Sequence, residues 1–563
     1  MNEASFLQQL YRSLEAAGDQ TLLTELSEGP AGLETGRELL HRISRARAFL
    51  AGRGLDKGDR CALVAANGID WIAMDLAIMA EGLIVVPLYH RQAASELVAM
   101  MKDSSPALIF CGSAALRDPI LEAWPGAPPQ VLLEEVFRKE PEPQELGPGP
   151  ASLSVRAPVR HEERDVVAIL YTSGTSGEAK GVMITAGNVA HILKCTSARL
   201  DLLMNSAPRQ DRVYQWAPLN FAAAWITLLT SLLRRSWVFL NRDLNQLAAE
   251  IRTVAPDYFV NVPALLERVR RAVDEQLWKT GGVVLKIYSR AKTGFMRKHE
   301  GQSSFSDSLW LTLARKAVFP TIRKKMIGGN LRGLISGSAA LNLDTQLYFM
   351  MLGIPILQVY GLTETTAICT MDDPRRVEPG RVGFAVPGTE MKLGAQDEIL
   401  VRGPHIFAGY WNRPEETAKV LIDGWFHTGD QGEVNAAGNW KIVGRIKNLI
   451  ILNSGHNIAP EPIEEELLAR LPRAQQVVLL GNNRSYLCAL VTGEVSPQQV
   501  GTALDEVNRA LPHYKQVRGF RIHSEPFTIE SGLVTANGKL KRDLIATRFQ
   551  VEIDDMYAVK QAV

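Results

Sequence analysis

The 563-residue sequence has few cysteines and almost no net charge. Its five cysteines, Cys61, Cys111, Cys195, Cys369 and Cys488, are scattered, and no two form a C-x-x-C pair. This spacing argues against a disulfide framework and against a cysteine zinc site, so a reducing, cytoplasmic environment is expected. The formal net charge is +1. Without a basic excess, zinc-finger spacing or an arginine-rich tail, nucleic acid is not an expected partner.

Long apolar runs are also missing. The most apolar stretch, residues 222–233, is followed at once by Arg234 and Arg235 and is shorter than the roughly 20 residues that span a bilayer. We therefore interpret it as a core helix. The first ten residues, M-N-E-A-S-F-L-Q-Q-L, lack the basic and then apolar order of a secretory signal, so export is not expected.

Short apolar runs, such as 61–65, 108–110 and 166–171, alternate with amphipathic helical patterns up to about residue 440. This alternation predicts an α/β fold with layered subdomains and mostly parallel sheets. Residues 139–150 have the Pro, Glu and Gly content of an exposed linker. The chain exceeds the usual size of one core, and we predict a large domain at 1–443 and a small mobile α+β domain at 444–563.

A phosphate-binding loop is the first functional motif. The sequence Y-T-S-G-T-S-G-E-A-K-G at 171–181 directly follows a predicted buried strand. Glycines allow close backbone approach, and hydroxyls and a lysine attract phosphate. The P-loop pattern does not fit because Gly181, not Ser or Thr, follows the lysine; the alternative is a flexible glycine-serine turn. The predicted phosphate ligands are Thr172, Ser173, Gly174, Thr175, Ser176, Gly177 and Lys180.

Five more motifs follow in order. They are R-G-L-I-S-G-S-A-A-L at 332–341, Y-G-L-T-E-T at 360–365, W-F-H-T-G-D at 425–430, G-R-I-K-N-L-I-I at 444–451 and T-A-N-G-K-L-K-R at 535–542. With the phosphate loop, this series resembles the adenylate-forming superfamily, which includes acyl-CoA synthetases, luciferases and nonribosomal-peptide adenylation domains. The resemblance extends from about residue 58 to about residue 542.

The resemblance implies a reaction in two steps. A substrate carboxylate attacks the α-phosphorus of ATP and pyrophosphate departs; a thiol such as that of coenzyme A then attacks the acyl adenylate. The hard cation Mg²⁺ takes oxygen ligands, for which Glu364 and the Thr172 hydroxyl are the candidates, although Glu364 could instead be a surface residue. Lys539 is the expected adenylation catalyst, because its ammonium would offset charge that grows in the transition state.

Nucleotide binding is implied at two further motifs. Asp430 is expected to accept both ribose hydroxyls, with help from Arg445. The adenine is expected between a turn of small residues and the ring of Tyr360, for which core packing is the alternative. The remaining residues assigned to the nucleotide are Gly337, Ser338, Ala339, Gly361 and Thr363.

The small domain carries further residues implied by the resemblance. Lys447 occupies the hinge position, and Gly455 belongs to a loop that approaches the thiol donor. Since Lys539 and the phosphate loop lie in different predicted domains, the resemblance implies domain closure. Lys541 and Arg542 are expected to face solvent or to help at the domain boundary.

A basic region at 264–330 points to the substrate class. Between Leu266 and Asn330 there are fourteen Lys or Arg against five Asp or Glu, and similar insertions occur in long-chain fatty acyl-CoA synthetases. The block at 453–464 also resembles that branch. We therefore expect a medium- or long-chain fatty acid as substrate. Phe221 and Trp225 are candidates for the acyl entrance, with core packing as the alternative, and the basic region either contacts an anionic membrane on its inner face or is a solvated helix face.

Two other functions stay open on sequence alone. A fatty acyl-AMP ligase would transfer the acyl group to the phosphopantetheine of a carrier protein and shares these motifs. A catalytically silent homologue that binds acyl chain or nucleotide would have lost Lys539, Glu364 or Asp430, and all three are present. A homodimer is a further expectation of the resemblance, whereas chain length and pathway are not determined.

Overall fold

A computed structural model describes residues 5–26, 32–137, 156–173, 179–205, 209–302, 304–339, 341–528, 531–535 and 539–558. These residues fall into two compact units. The first contains the described residues up to 172, together with those in 179–390 and 402–424; the second contains Ser173, 391–401 and the described residues from 425 onward. The expected linker at 139–150 lies outside the described residues.

The first unit is rich in helices. They are α1 (Phe6–Ala17), α2 (Gly36–Ala51), α3 (Ile69–Ala80), α4 (Ala94–Ser104), α5 (Ala114–Ala123), α6 (Leu133–Phe137), α7 (Ala186–Met204), α8 (Ala222–Leu233), α9 (Leu247–Val254), α10 (Pro263–Thr280), α11 (Gly282–His299), α12 (Phe305–Ala317), α13 (Phe319–Ile327), α14 (Leu343–Met351) and α15 (Pro414–Val420). Helix α8 has the bounds expected for the core helix, and most of its residues are buried.

The strands of the first unit are short. They are β1 (Thr21–Glu25), β2 (Gly32–Thr35), β3 (Arg60–Val64), β4 (Ile84–Leu88), β5 (Leu108–Cys111), β6 (Gln130–Leu132), β7 (Val166–Ser173), β8 (Ala179–Thr185), β9 (Arg212–Gln215), β10 (Trp237–Leu240), β11 (Val260–Asn261), β12 (Leu334–Ser336), β13 (Ile356–Tyr360), β14 (Thr370–Met371) and β15 (Gly383–Ala385), and β18 (Leu421–Ile422) follows α15.

Parallel pairing dominates these sheets, as the alternating pattern predicts. One sheet has the order β6-β5-β3-β4-β7-β8, and its β3, β4, β5, β6 and β7 pair in parallel. In a second, β1, β10 and β9 are parallel while β2 is antiparallel. Strands β11, β12 and β13 are parallel and continue into the antiparallel β14 and β15. Carboxyl ends of neighbouring parallel strands meet at one sheet edge, where ligands of α/β proteins bind.

The second unit mixes helices and mainly antiparallel strands. Its strands are β16 (Glu390–Leu393), β17 (Glu398–Arg402), β19 (Trp425–Val434), β20 (Asn439–Arg445), β21 (Ile450–Ile451), β22 (Asn457–Ile458), β23 (Ala474–Leu480), β24 (Leu487–Gly493) and β25 (Val517–His523), and its helices are α16 (Glu461–Arg470), α17 (Pro497–Ala510), α18 (Arg542–Arg548) and α19 (Gln550–Ala558). Strand β24 pairs antiparallel with β23 and parallel with β25. The predicted fold class, a large α/β part and a small α+β part, is confirmed.

None of the described helices combines the length and the apolar character that crossing a bilayer requires.

Candidate active site

The phosphate-loop motif begins at the end of β7 and resumes in β8. Thr172 is half-buried near the carboxyl end of β7, and Ser173 is the last residue of that strand. Gly174, Thr175, Ser176 and Gly177 lie outside the described residues. Lys180 is the second residue of β8.

Lys180 is held by two side chains from a distant part of the sequence. Its Nζ lies 2.6 Å from Oε2 of Glu416 and 5.1 Å from the centroid of the Tyr410 ring. The chain at 408–411 runs antiparallel to β8, with Val182 and Tyr410 paired, which brings Tyr410 to the lysine. The ion pairs with Lys180 and Lys419 lower the pKa of Glu416 to about 2, so the carboxylate is charged at neutral pH.

Tyr410 also connects the lysine to the candidate magnesium ligand. Its hydroxyl donates a hydrogen bond of 2.8 Å to Oε1 of Glu364, and the backbone N–H of Phe407 donates to the Glu364 carbonyl at 2.9 Å. Glu364 is half-buried. The structure therefore brings two separate motifs to one tyrosine, with Lys180 at its ring and Glu364 at its hydroxyl.

The loop that presents Glu364 requires a glycine. A Cβ at Gly361 would lie 2.2 Å from the carbonyl oxygen of Ala367, a clash with backbone. The loop then turns through Thr366 and Ala367, whose φ angles are 49° and 83°. Non-glycine residues in this left-handed region are uncommon and mark a constrained backbone. The Thr366 hydroxyl donates to the His405 carbonyl at 2.8 Å, which helps to hold this conformation.

The two candidate adenine segments follow adjacent parallel strands. Ser336 of β12 pairs with Gln358 of β13, so the turn at 337–339 and the Y-G-L-T-E loop leave the same sheet edge. A Cβ at Gly337 would lie 2.7 Å from Cγ2 of Val359, which explains the small residue. Ser338 has a φ of 72°, and both Ser338 and Ala339 are exposed.

Tyr360 and Thr363 occupy different environments in this region. Tyr360 is the last residue of β13 and is 9% exposed, so little of its surface is open to a ligand and much of the ring packs in the protein. Thr363 begins a short 3₁₀ turn that contains Glu364 and is half-buried.

The two candidate acyl-chain residues are also placed differently. Trp225 is 0% exposed, and its indole N–H donates a hydrogen bond of 3.0 Å to Oδ2 of Asp75 on α3. Burial raises the pKa of Asp75 to about 7, an effect that this hydrogen bond partly opposes. Phe221 is half-buried, with its ring centroid 5.8 Å from that of Tyr89. The enclosed indole favours core packing for Trp225, whereas Phe221 has exposed surface that a ligand could contact.

In the second unit, a β-hairpin joins the T-G-D motif to the hinge motif. Asp430 of β19 and Arg445 of β20 are register partners, and Arg445 Nε lies 2.7 Å from Asp430 Oδ1. Asp430 is 3% exposed. The Glu398 carboxylate supports the motif by accepting from Gly429 N at 2.9 Å and by bonding His427 Nδ1 at 2.8 Å. A charged arginine thus directly orients the carboxylate predicted to bind the ribose.

The hinge lysine lies within electrostatic range of the candidate catalytic lysine. Lys447 follows β20 in a short turn. Its pKa is lowered to about 8 by partial desolvation of the ammonium and then by the positive charges of Arg445 and Lys539, against the opposing charges of Asp430 and Asp543. Cations from the hinge motif and from the catalytic-lysine motif therefore share one electrostatic environment with Asp430.

Lys539 and Gly455 both lie on the surface of the second unit. Lys539 is exposed and directly precedes Leu540, which pairs antiparallel with Val534. Gly455 is exposed with a φ of +81°, in the left-handed region that favours glycine. The expectation that Arg542 faces solvent is wrong. Its side chain is 19% exposed and bonded to a buried glutamate, Glu464.

Sequence reasoning did not identify several partners of these residues. Glu416, Tyr410 and Glu398 belong to none of the motifs used to select candidates, and Glu464 ends the block at 453–464 without having been selected. Each lies far along the chain from the residue that it contacts. Glu416 had a local signal, a helix start at R-P-E-E after an apolar G-Y-W. Among the described residues, no group of three or more His, Cys, Asp or Glu forms a metal-binding cluster.

The chain is similar to known proteins along most of its length. The family model described as AMP-binding enzyme matches residues 12–411, and that described as AMP-binding enzyme C-terminal domain matches 447–561. The chain is 27% identical to the long-chain-fatty-acid–CoA ligase FadD15 of Mycobacterium bovis, covering 96% of this chain and 94% of that protein. It is also 27% identical to long chain acyl-CoA synthetase 3 of Arabidopsis thaliana, covering 96% and 89%.

A solved structure extends the likeness to the fold. The o-succinylbenzoate CoA synthetase of Bacillus subtilis, in complex with its acyl-adenylate intermediate, has a TM-score of 0.73 with this chain at 20% identity and covers 97% of this chain and 98% of that one.

Proposed function

This chain belongs to the AMP-binding enzyme family, and we propose on that basis that it is an ATP-dependent ligase that converts a medium- or long-chain fatty acid to its coenzyme A thioester. The relatives that match it along nearly its whole length carry the names of long-chain fatty acid ligases and synthetases for coenzyme A. The observation that carries the proposal is the arrangement of Lys180, Tyr410 and Glu364. Tyr410 contacts both the ammonium of Lys180 and the carboxylate of Glu364. A magnesium-bound polyphosphate requires such a pair, since the ammonium attracts the phosphates and the carboxylate can bind Mg²⁺.

The first step would use ATP as the activating reagent. A carboxylate oxygen of the fatty acid attacks the α-phosphorus, the bond from that phosphorus to the β-bridging oxygen breaks, and pyrophosphate leaves. Lys180 would attract the departing phosphates. Glu364 and the Thr172 hydroxyl would hold Mg²⁺. Mg²⁺ binds through one or two carboxylates plus phosphate oxygens, so the donor set fits it without a larger acidic cluster.

The nucleotide would be recognised by the remaining motifs. We assign the ribose hydroxyls to Asp430, whose carboxylate is oriented by Arg445, and the adenine to the segments at 337–339 and 360–363. Lys539 would offset the negative charge that grows on the α-phosphate during attack. Each assignment rests on its motif and on the placement of its side chain within its own unit.

The second step would release AMP. The thiolate sulfur of coenzyme A attacks the acyl carbon, a thioester bond forms, and the acyl–phosphate bond breaks with AMP as leaving group. We assign the approach of this thiol to the loop at Gly455 and the hinge to Lys447. The names of the relatives favour coenzyme A over a carrier protein as the acceptor.

The proposal is tested with a panel of acids from acetate to oleate, together with benzoate. Pyrophosphate release and thioester formation are measured in parallel with Mg²⁺-ATP, with and without coenzyme A. We expect pyrophosphate release with medium- or long-chain acids, and acyl-CoA as the product when coenzyme A is present. Release that stops at the adenylate would indicate a carrier-protein acceptor, and no release with any acid would overturn the proposal in favour of a silent homologue.

We also propose that the basic region at 264–330 contacts an anionic membrane. Phe305, Leu309 and Leu313 are spaced four residues apart on α12, so they share one face, and they are 90%, 62% and 42% exposed. Exposed Arg315 and Lys316 follow on the same helix. Exposed apolar side chains beside cations suit insertion at a lipid surface of negative charge.

The membrane proposal is tested by co-sedimentation with vesicles of phosphatidylcholine and phosphatidylglycerol. Phe305→Ser combined with Leu309→Ser, and separately Arg315→Glu combined with Lys316→Glu, should each reduce binding several-fold. Leu393→Ser, which changes an exposed leucine of the second unit, is the control and should leave binding unchanged. Equal sedimentation of all variants would support the alternative of a solvated basic face.

A further inference from the structure

The segment that carries Lys539 ends in a buried ion pair. Arg542, three residues after Lys539, is the first residue of α18. Its Nη1 donates to Oε1 of Glu464 at 2.6 Å, and its Nη2 donates to Oε2 of the same carboxylate. The side chains of Arg542 and Glu464 are 19% and 7% exposed. The contact is bidentate, so it fixes both the position and the orientation of the guanidinium.

Glu464 is itself anchored in the core of the second unit. It lies on α16, and its Oε1 also accepts a hydrogen bond of 2.6 Å from the backbone N–H of Leu479 in β23. The carboxylate therefore joins α16, β23 and the start of α18. A carboxylate that accepts from a fixed backbone group and a guanidinium has little freedom to move.

The path from Arg542 to Lys539 is short and hydrogen-bonded. Lys541 N donates to the Leu533 carbonyl at 2.9 Å, and Thr535 N donates to the Lys539 carbonyl at 2.8 Å. The Lys539 N–H donates in turn to the Thr535 hydroxyl at 3.1 Å. Leu533 and Val534, on the segment that pairs with residues 539–541, are buried in an apolar cluster. The backbone of Lys539 is thus fixed at two points, by these hydrogen bonds and by the ion pair.

Stability alone does not account well for this ion pair. A buried ion pair adds little net stability over apolar residues of similar volume, because both charges lose hydration. What a bidentate pair provides is a defined geometry. We propose that Glu464 and Arg542 are positioning residues that set the placement of Lys539 for the adenylation step. This inference rests on the proposed function, since it assumes that Lys539 acts in adenylation.

The test separates the two half-reactions in the full-length enzyme. Adenylation is measured as fatty-acid-dependent exchange of pyrophosphate into ATP, and thioester formation is measured from synthetic acyl adenylate and coenzyme A. Glu464→Gln and Arg542→Lys each remove the bidentate pair. We expect each to lower kcat for adenylation about 10- to 100-fold, as misplacement of a catalytic group by about 1 Å does. Thioester formation should stay within about 2-fold of the wild type, because misplacing Lys539 is expected to affect the first step alone.

A double variant and a matched control complete the design. Glu464→Gln should have no further effect on adenylation in a Lys539→Ala background, since both changes act through one ammonium. Glu466→Gln, on the same helix but paired with Arg470, should leave both half-reactions unchanged. If Glu464→Gln unfolds the unit, Arg542→Lys, which keeps the charge, carries the test.

Failure of the positioning role and failure of the proposed ligase function give different results. Equal losses in both half-reactions, or adenylation unchanged in both single variants, would overturn the positioning role while leaving the ligase assignment intact. A wild-type enzyme that adenylates no fatty acid would instead overturn the proposed function.

Discussion

Lys180 has two neighbours that lie outside its motif, Glu416 and Tyr410, and both hold its ammonium in place. Glu416 is 236 residues away in sequence and bonds the ammonium at 2.6 Å, while Tyr410 lies beneath it and bonds Glu364. The motif could be read from the sequence because it is local. Glu416 and Tyr410 could not be identified from the sequence, because an antiparallel pairing between distant segments brings them to the lysine.

The first prediction concerns Glu416. Glu416→Gln removes the charge that holds Lys180, so the lysine loses its defined position. We expect KM for ATP to rise about 3- to 10-fold, with little change in KM for the fatty acid. Glu415→Gln, on the exposed neighbour, is the control. A lower KM for ATP would show that the carboxylate competes with the phosphates for the lysine.

The second prediction concerns the protonation of Lys447. Desolvation of the ammonium, and then the positive charges of Arg445 and Lys539, hold the Lys447 pKa at about 8, below its usual value, because a nearby cation disfavours protonation. Lys539→Ala should therefore raise the pKa of Lys447, and Lys539→Arg should not. Competitive acetylation across pH 7 to 11, followed by mass spectrometry, measures this pKa. An unchanged profile in Lys539→Ala would contradict the shared electrostatic environment.

At the scale of elements, the sequence predicted the strand-and-helix alternation and the core helix well, since both are local periodic patterns. It could not predict which elements share a buried contact. Trp225 on α8 was a reasonable acyl-chain candidate by its place after Phe221, yet it donates to Asp75 of α3 inside the core. Arg542 likewise joins a buried pair that charge alone did not indicate.

The third prediction concerns the contact between α3 and α8. Burial raises the pKa of Asp75 from 3.8 to about 7, so the folded state holds this proton more tightly than the unfolded state. Its contribution to stability is complete below about pH 4 and is lost as the pH rises towards 7. Asp75→Asn should remove about 2–4 kcal/mol of this pH dependence, since one pKa unit corresponds to about 1.4 kcal/mol. Urea unfolding at pH 4 to 8 measures it, and parallel curves for both proteins would contradict the assignment.

The fourth prediction concerns the loop after β13. Gly361→Ala would place a Cβ 2.2 Å from a backbone oxygen, and backbone cannot yield as a flexible side chain can. We expect the free energy of unfolding of the first unit to fall by about 1–3 kcal/mol, and adenylation to fall with the displacement of Glu364. Gly126→Ala is the control, because no described atom beyond Gly126 and its two chain neighbours lies within 4 Å of the added Cβ. Equal stability of the two variants would contradict this interpretation.

At the scale of the whole molecule, the chain combines an α/β unit that carries the phosphate-loop lysine with an α+β unit that carries Asp430 and Lys539. The family and the fold class followed from the sequence because the motifs are ordered and specific. The boundary at residues 443 and 444 stays a prediction, as do the homodimer and the roles of the site residues. Chain length of the acid has no motif, since an acyl tunnel is formed by apolar residues from many elements.

We expect this chain to make acyl-CoA through an adenylate whose formation needs Lys539. The most direct test measures AMP, pyrophosphate and oleoyl-CoA formed from oleate, Mg²⁺-ATP and coenzyme A by the wild type and by Lys539→Ala, together with conversion of synthetic oleoyl adenylate. We expect equal amounts of the three products from the wild type, and about a 10²- to 10³-fold loss of adenylate formation in Lys539→Ala with near-normal use of the synthetic adenylate. Adenylate formation that survives in Lys539→Ala, or a wild type that forms acyl-CoA neither from oleate nor from any shorter acid of the panel, would contradict this function.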